Sequence, residues 1–331
     1  MALTINTNVA SIIAQHNLEN ATNALNTSLE RMSTGYKINH ASDNAAGYSI
    51  SKLWVTQLGS LDVASDNAAT ATDMLTTTED TYSLLTSHFQ RIRDLTEQAA
   101  NGTYGSASLK AIQAEIVARL NEVNRIAGSA EFNGIKLMDG TGVGTGGVNI
   151  QVGLYATANS RINLAQSLFS DATLKGLYTD VPTPSGNTKS LADMLTGAKT
   201  GASIADLTTN ANKSIEAFAA ACTNLKYDGE NLVLQTVAAL SPREMIGYVD
   251  YAITKISDKV TQIGAAQNRV SSAISSLEVQ SQNITSSLST LRDTDVAEES
   301  SNYIQAQILQ QASATLLATA NQLPSIAINL I

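Results

Sequence analysis

Residues 249–291 read VDYAITKISDKVTQIGAAQNRVSSAISSLEVQSQNITSSLSTL. Val249, Ile253, Ile256, Val260, Ile263, Val270, Ile274, Leu277, Ile284, Leu288 and Leu291 recur at helical and heptad spacing, with Gln267 and Ser281 as polar interruptions. An α-helix puts such positions on one face, whereas a strand would need strict alternation. At a rise of about 1.5 Å per residue this helix would be on the order of 60 Å long.

Two further stripes lie upstream. From Leu61 the apolar positions step through Ala64, Ala68, Ala71, Leu75, Tyr82, Leu85, Phe89, Ile92 and Leu95, with Thr78 the polar exception. All four prolines come late, at Pro182, Pro184, Pro242 and Pro324, so nothing of that kind interrupts a helix in the first 181 residues. After a break at Asn101 and Gly102, Leu109, Ile112, Ile116, Leu120, Val123 and Ile126 form a second stripe. It predicts a helix packed back antiparallel on the first.

Residues 128–165 change character. Gly134, Gly140, Gly142, Gly144, Gly146, Gly147 and Gly153 surround the β-prone runs Val148 to Val152 and Arg161 to Leu164, which predicts a small β-hairpin region. Residues 181–242 open on Val-Pro-Thr-Pro-Ser-Gly and close at Ser241-Pro242, so they read as a short central insertion. Leu191 to Leu195 and Ile215 to Ala221 predict short helices inside it. The fold class is therefore mostly α, built from long antiparallel helices.

The two ends carry almost no charge. Arg292 is the last basic residue and Glu299 the last acidic one, so residues 300–331 have no charged side chain. Helical spacing nonetheless persists through Ile304, Ile308, Ala312, Leu316, Ala320 and Leu323, and Leu309 adds to the apolar content. In the first 30 residues only Glu19 and Glu30 are charged, while Val9, Ile12, Ile13, Leu18, Leu25 and Leu29 are apolar. Solvated helix faces normally carry charge, so such ends predict helices covered on several sides, paired with each other and with copies of themselves. Alone they would bury too little to offset their ordering entropy, which predicts folding coupled to assembly.

Composition narrows the function classes. Twenty Lys plus Arg against 29 Asp plus Glu give a net charge of -9, which argues against a nucleic-acid partner. Charged residues make up 15% of the chain, below the roughly 25% typical of soluble domains. The single cysteine, Cys222, excludes an internal disulfide framework. His16, His40 and His88 show no metal-ligand spacing, and no cofactor is expected. The Gly140 to Gly147 stretch lacks the Lys-Ser/Thr ending of a phosphate loop. Nothing resembles a catalytic constellation, so no enzymatic activity is expected. With Arg31 the first basic residue and no long apolar run, neither a cleavable secretory signal nor membrane insertion is expected.

Ile5-Asn6-Thr7-Asn8, Leu29-Glu30-Arg31-Met32-Ser33-Thr34-Gly35 and Ala45-Ala46-Gly47 resemble the opening of bacterial flagellins. So do Gln90-Arg91-Ile92-Arg93-Asp94-Leu95, Phe132-Asn133-Gly134, Gln267-Asn268-Arg269, Gln307-Ile308-Leu309-Gln310-Gln311-Ala312 and Ala320-Asn321-Gln322. The resemblance implies a secreted, extracellular subunit of the flagellar filament, exported through the flagellar type III apparatus. It implies a hairpin-like chain divided into an inner terminal domain (residues 1–45 with 292–331, both termini in a coiled coil), a helical-bundle domain with the β-hairpin (46–180 with 243–291) and a variable exposed insertion (181–242). Val9, Ile12, Leu18, Leu25, Leu29, Ile308, Leu309, Leu316 and Leu323 would form the polymerisation core, and Gly35 and Gly47 the connector between domains.

The resemblance also implies partners: copies of the chain itself, an export chaperone, and cap and hook-junction proteins. Gln90, Arg91, Leu95, Gln98 and Glu115 match positions through which related flagellins meet the vertebrate flagellin-sensing Toll-like receptor. The structural reading of the same residues puts Leu95 in the core or at a subunit contact, and pairs Arg91 with Glu115 across neighbouring helices or subunits. Two other classes compete with this reading. A signalling or adhesive coiled-coil protein would call for a membrane span or a charged terminus, and a hook-filament junction protein shares the terminal patterning.

Overall fold

The computed structural model describes residues 8–140, 142–143, 146–177, 181–182, 188–189, 225–228, 231–234 and 242–329, excepting the side chains of 174–175, of the strands between 181 and 234, of 244 and of 323–329. Cys222 and the two helices expected at Leu191 to Leu195 and Ile215 to Ala221 lie outside the described residues. Among the described residues five long helices dominate: α1 (Val9–Thr34), α2 (Ala45–Ala100), α3 (Ser106–Ser129), α5 (Pro242–Arg292) and α6 (Val296–Asn329), with α4 a single turn at Leu174–Leu177. Pro242 is the first residue of α5, where a helix N–H has no intrahelical partner to lose.

Four antiparallel hairpins accompany them among the described residues. These are β1 (Glu131–Phe132) with β2 (Ile135–Lys136), β3 (Val148–Gln151) with β4 (Arg161–Leu164), β5 (Val181–Pro182) with β6 (Thr188–Lys189), and β7 (Leu225–Asp228) with β8 (Asn231–Leu234). Between β1 and β2, Asn133 and Gly134 have φ of 48° and 78°. Positive φ at both central residues defines the tight turn whose twist suits paired strands, and Asn-Gly is the pair that adopts it most easily.

The chain divides into two compact units, residues 1–62 with 278–331 and residues 63–277. In the second, Leu61's successors on the expected stripe are buried without exception: Ala64, Ala68, Ala71, Leu75, Tyr82, Leu85, Phe89, Ile92 and Leu95. Thr78 is buried with them, its hydroxyl donating to the Met74 carbonyl at 2.7 Å, so the polar interruption is satisfied within its own helix. Leu109, Ile112, Ile116, Leu120, Val123 and Ile126 of α3 and Val249, Ile256, Ile263 and Val270 of α5 complete the core. The hairpin β3–β4 packs on it through Ile162 and Leu164, and Asn67 Nδ2 donates to the Gln151 carbonyl at 3.2 Å. The Tyr82 hydroxyl lies 3.4 Å from the Leu168 carbonyl, and burial pushes its pKa up to about 12.

The first unit is built differently. There α1 and α6 pair, and their Cα atoms come within 8 Å along the pair. Most of the buried residues are small and spaced by seven: Ala14, Ala21 and Ser28 on α1, Ala306, Ser313 and Ala320 on α6, with Glu299 buried one heptad before Ala306. Backbones can draw this close only where side chains are no larger than Ala or Ser, as at small-residue helix contacts generally. The face that α6 buries is therefore not the large-residue stripe expected from sequence: Ile304, Ile308 and Leu316 are exposed, and of that stripe Ala320 alone is buried among the described side chains.

Burial of this kind sets unequal consequences for truncation. Ile116→Ala, in the core of residues 63–277, should cost about 2–5 kcal/mol in guanidinium unfolding of the free subunit, through lost burial and a residual cavity. Leu316→Ala, on an exposed face, should change it by less than about 0.5 kcal/mol. Equal losses at the two positions would contradict this packing.

Candidate functional site

Eight of the large apolar side chains described on α1 and α6 lie off the shared small-residue seam. Val9, Ile12, Ile13 and Leu29 on α1 and Ile304, Ile308, Leu309 and Leu316 on α6 are half or more exposed, reaching 61% at Ile308 and Leu316. Leu18 and Leu25 are half-buried, and the side chain of Leu323 lies outside the described residues. An open groove of about 750 Å³ runs along the pair, lined by Ala21, Ala306, Leu309 and Leu316 and by polar groups that include Arg31 and Glu299. Large apolar side chains clustered in water beside it mark a candidate binding surface.

The ends of α1 are fixed by their own sequence. Asn8 is the N-cap, its side-chain oxygen accepting from the Ser11 N–H at 3.1 Å. Gly35 is the C-cap in the left-handed conformation, φ 75°, and its N–H donates to the Arg31 carbonyl at 2.8 Å. The Gly35 carbonyl then accepts from the Thr294 N–H at 3.0 Å, and the Lys37 N–H donates to the Arg292 carbonyl at 2.7 Å. The Arg292 guanidinium sits 3.8 Å from the centroid of the Tyr36 ring. The α1–α2 connector and the α5–α6 connector are thus joined.

Gly47 differs from Gly35. It lies in the first turn of α2, where its N–H donates to the Asn44 cap at 2.8 Å, and it has no left-handed φ. A Cβ there would sit 2.8 Å from Cδ1 of Ile38, which is buried, so the absent side chain provides room and not backbone freedom. Ahead of it, the Asp43 carboxylate accepts from the N–H groups of His40 and Asn39 at 2.9 and 3.0 Å, and these bonds hold its pKa below the ordinary value.

The second cluster singled out in the sequence lies on α2 and α3. Arg91 Nε donates to Glu115 Oε1 at 3.1 Å, and Arg119 Nη2 donates to the same oxygen at 3.0 Å. Hydrogen bonds from Arg91 and then Arg119 hold the Glu115 pKa below its ordinary value. Their support is present above the ordinary carboxylate pKa and is lost as pH falls through the lowered one. Gln98 Nε2 donates to the Tyr104 hydroxyl at 2.9 Å, and Gln90 is exposed. Leu95 is set apart from these: at 2% exposure it belongs to the core, behind the surface that Gln90, Arg91, Gln98 and Glu115 form. Sequence inspection alone missed Asn8, Arg93 and Asp250. Arg93 Nε donates to Asp250 Oδ1 at 2.6 Å, tying α2 to α5.

Among the described residues no group of His, Cys, Asp and Glu is placed to hold a metal ion, and no helix is long and apolar enough to cross a membrane. Residues 5–142 match the bacterial flagellin N-terminal helical region, and residues 246–331 match the bacterial flagellin C-terminal helical region. Polar flagellin F of Vibrio parahaemolyticus is 31% identical over 382 aligned residues, and Flagellin A of Vibrio cholerae 32% identical over 378, in each case with 100% of both chains covered. A crystal structure of Bacillus cereus flagellin aligns with a TM-score of 0.40 at 20% identity, covering 64% of this chain and 88% of that one. With family regions at both ends and full-length relatives above 30% identity, the chain belongs to the bacterial flagellin family.

Proposed function

We propose that the chain is the structural subunit of a bacterial flagellar filament, secreted to the cell exterior and working without a catalytic site or a cofactor. The observation that carries this reading is the exposure of Ile308, Leu309 and Leu316 on a helix pair whose C-terminal 32 residues bear no charge. In a lone subunit those side chains face water. In a polymer a neighbouring pair covers them, at about 25 cal/mol per Å² of apolar surface removed from water. Because α1 and α6 present different outward surfaces, contacts between copies are head-to-tail and extend into an open helical array.

On this reading residues 1–45 with 292–331 form the filament's inner layer, residues 46–180 with 243–291 the next, and residues 181–242 face solvent. An export chaperone covers the exposed apolar terminus before assembly, and cap and hook-junction proteins bound the polymer. A hook-filament junction protein would share the terminal pair, but would not extend indefinitely from purified chain alone. The α2–α3 surface around Arg91 is further proposed to be read, in the free monomer, by the vertebrate flagellin-sensing Toll-like receptor. Leu95 would support that surface from the core without touching the receptor.

Removal of residues 300–331 tests the assembly mechanism. The truncated chain should form no filaments by electron microscopy and no fast-sedimenting polymer, while residues 63–277 keep their cooperative unfolding. Filaments from the truncated chain would refute it. For the receptor, Gln90→Ala with Arg91→Ala should reduce signalling by monomer at least tenfold with the thermal midpoint kept. Undiminished signalling would remove the site.

A further inference from the structure

A seam made of Ala and Ser repeating every seven residues does not choose its own register. Ala14, Ala21 and Ser28 and Ala306, Ser313 and Ala320 each repeat every seven residues, so sliding α1 by one heptad against α6 again places small residues opposite small residues over most of the seam. Something else must select one alignment. In coiled coils that task falls to isolated polar contacts, which specify register at some cost in stability.

Polar contacts between the two helices follow a single antiparallel alignment. Asn8 Nδ2 donates to the Ala320 carbonyl at 2.7 Å, and Ser11 Oγ donates to Asn321 Oδ1 at 2.6 Å. Further along, Gln310 Nε2 donates to Thr22 Oγ1 at 3.2 Å, and Arg31 Nη1 stands 3.7 Å from Glu299 Oε2. As the α1 residue advances from Asn8 to Arg31, its α6 partner retreats from Ala320 to Glu299.

The first of these contacts has a particular cause. In an α-helix the carbonyl of Ala320 would accept from the N–H of residue 324, four positions on. That residue is proline, which has no N–H, and α6 continues past it to Asn329. Pro324 therefore leaves one carbonyl in α6 without its intrahelical donor, and Ala320 is buried. A buried carbonyl without a partner is costly, and the Asn8 carboxamide supplies the missing hydrogen. The same carboxamide uses its oxygen to cap α1 at Ser11.

We infer that Asn8 and Pro324 together form a register lock, in which the proline opens a single acceptor on α6 and the Asn8 amide, held at the N-cap of α1, fills it. A heptad slip toward the N-terminus of α6 would bring the Asn8 amide opposite the Ser313 carbonyl, inside the helix where its own backbone donor engages it, and a slip in either direction would strand the carbonyl of Ala320. The lock accounts for how a seam of interchangeable small residues has one alignment. It depends on the terminal pair alone and not on what that pair assembles into.

Asn8→Asp separates the two halves of the side chain's work. Aspartate caps a helix N-terminus as well as asparagine and suits the helix dipole, so a residue that served only as a cap would tolerate the change or gain from it. It has no hydrogen to give Ala320. Hydrogen exchange is followed on the whole chain, both as free subunit and as pelleted polymer, in peptides covering residues 8–34 and 296–323. Asn8→Asp should reduce protection there roughly five- to fiftyfold, the range set by stranding one buried carbonyl. Pro324→Ala restores the backbone donor, and in that background Asn8→Asp should change protection by less than about twofold. An undiminished effect of Asn8→Asp beside Ala at position 324, no effect in the parent chain, or no protection of these helices in either state would each overturn the lock. A chain that protects the pair yet never sediments as polymer would instead overturn the filament reading and leave the lock standing.

Discussion

Among the helices described, α1 and α6 make the closest approach, and the size of the side chains between them sets it. Ala14, Ala21 and Ser28 meet Ala306, Ser313 and Ala320. Small residues give little apolar area to bury, so the pair gains stability mainly from dispersion between closely packed backbones. The larger consequence is what the arrangement leaves outside. With the inner seam occupied mostly by methyl-sized groups, Ile12, Ile13 and Leu29 of α1 and Ile304, Ile308, Leu309 and Leu316 of α6 stand exposed.

Residues 63–277 answer the same problem in the opposite way. Tyr82, Phe89, Ile92, Leu120 and Phe169 fill that interior, and its exposed faces carry ion pairs such as Arg91–Glu115, Arg93–Asp250 and Arg125–Glu122. Exposed pairs of this kind add little stability individually. They do keep that surface charged and solvated, whereas the terminal helices carry few charges and expose large apolar groups. One unit thus completes its core within the chain, while the other presents its apolar surface outward.

The stripes on α2 and α3 were legible because large apolar residues there both signal the helix period and fill the core, so one pattern serves both purposes. At the ends the two purposes separate. Ile304, Ile308 and Leu316 carry the visible period, yet the buried face belongs to Ala306, Ser313 and Ala320, which hydrophobicity weights too lightly to reveal. Low charge did mark the two segments that pair within the chain. Leu95 shows a related ambiguity, since its place in a motif does not say whether it faces a partner or the core. Gly47, grouped with Gly35 as the connector, makes room for Ile38, while only Gly35 of the two takes the left-handed backbone. The Asn8–Ala320 contact was not legible at all, because it joins residues 312 positions apart and involves a backbone carbonyl that only the position of Pro324 makes available.

The claim on which this account rests is that the outward side chains of α6 are exposed in the subunit and covered in the polymer. Hydroxyl-radical footprinting with mass spectrometry reads it directly at Ile308, Leu309 and Leu316. Oxidation at these three residues should fall at least tenfold when the chain passes from free subunit to sedimented filament, while Tyr155, exposed on the β3–β4 loop, serves as a second reporter within the same digest. Equal oxidation of Ile308, Leu309 and Leu316 in the two states would contradict the account.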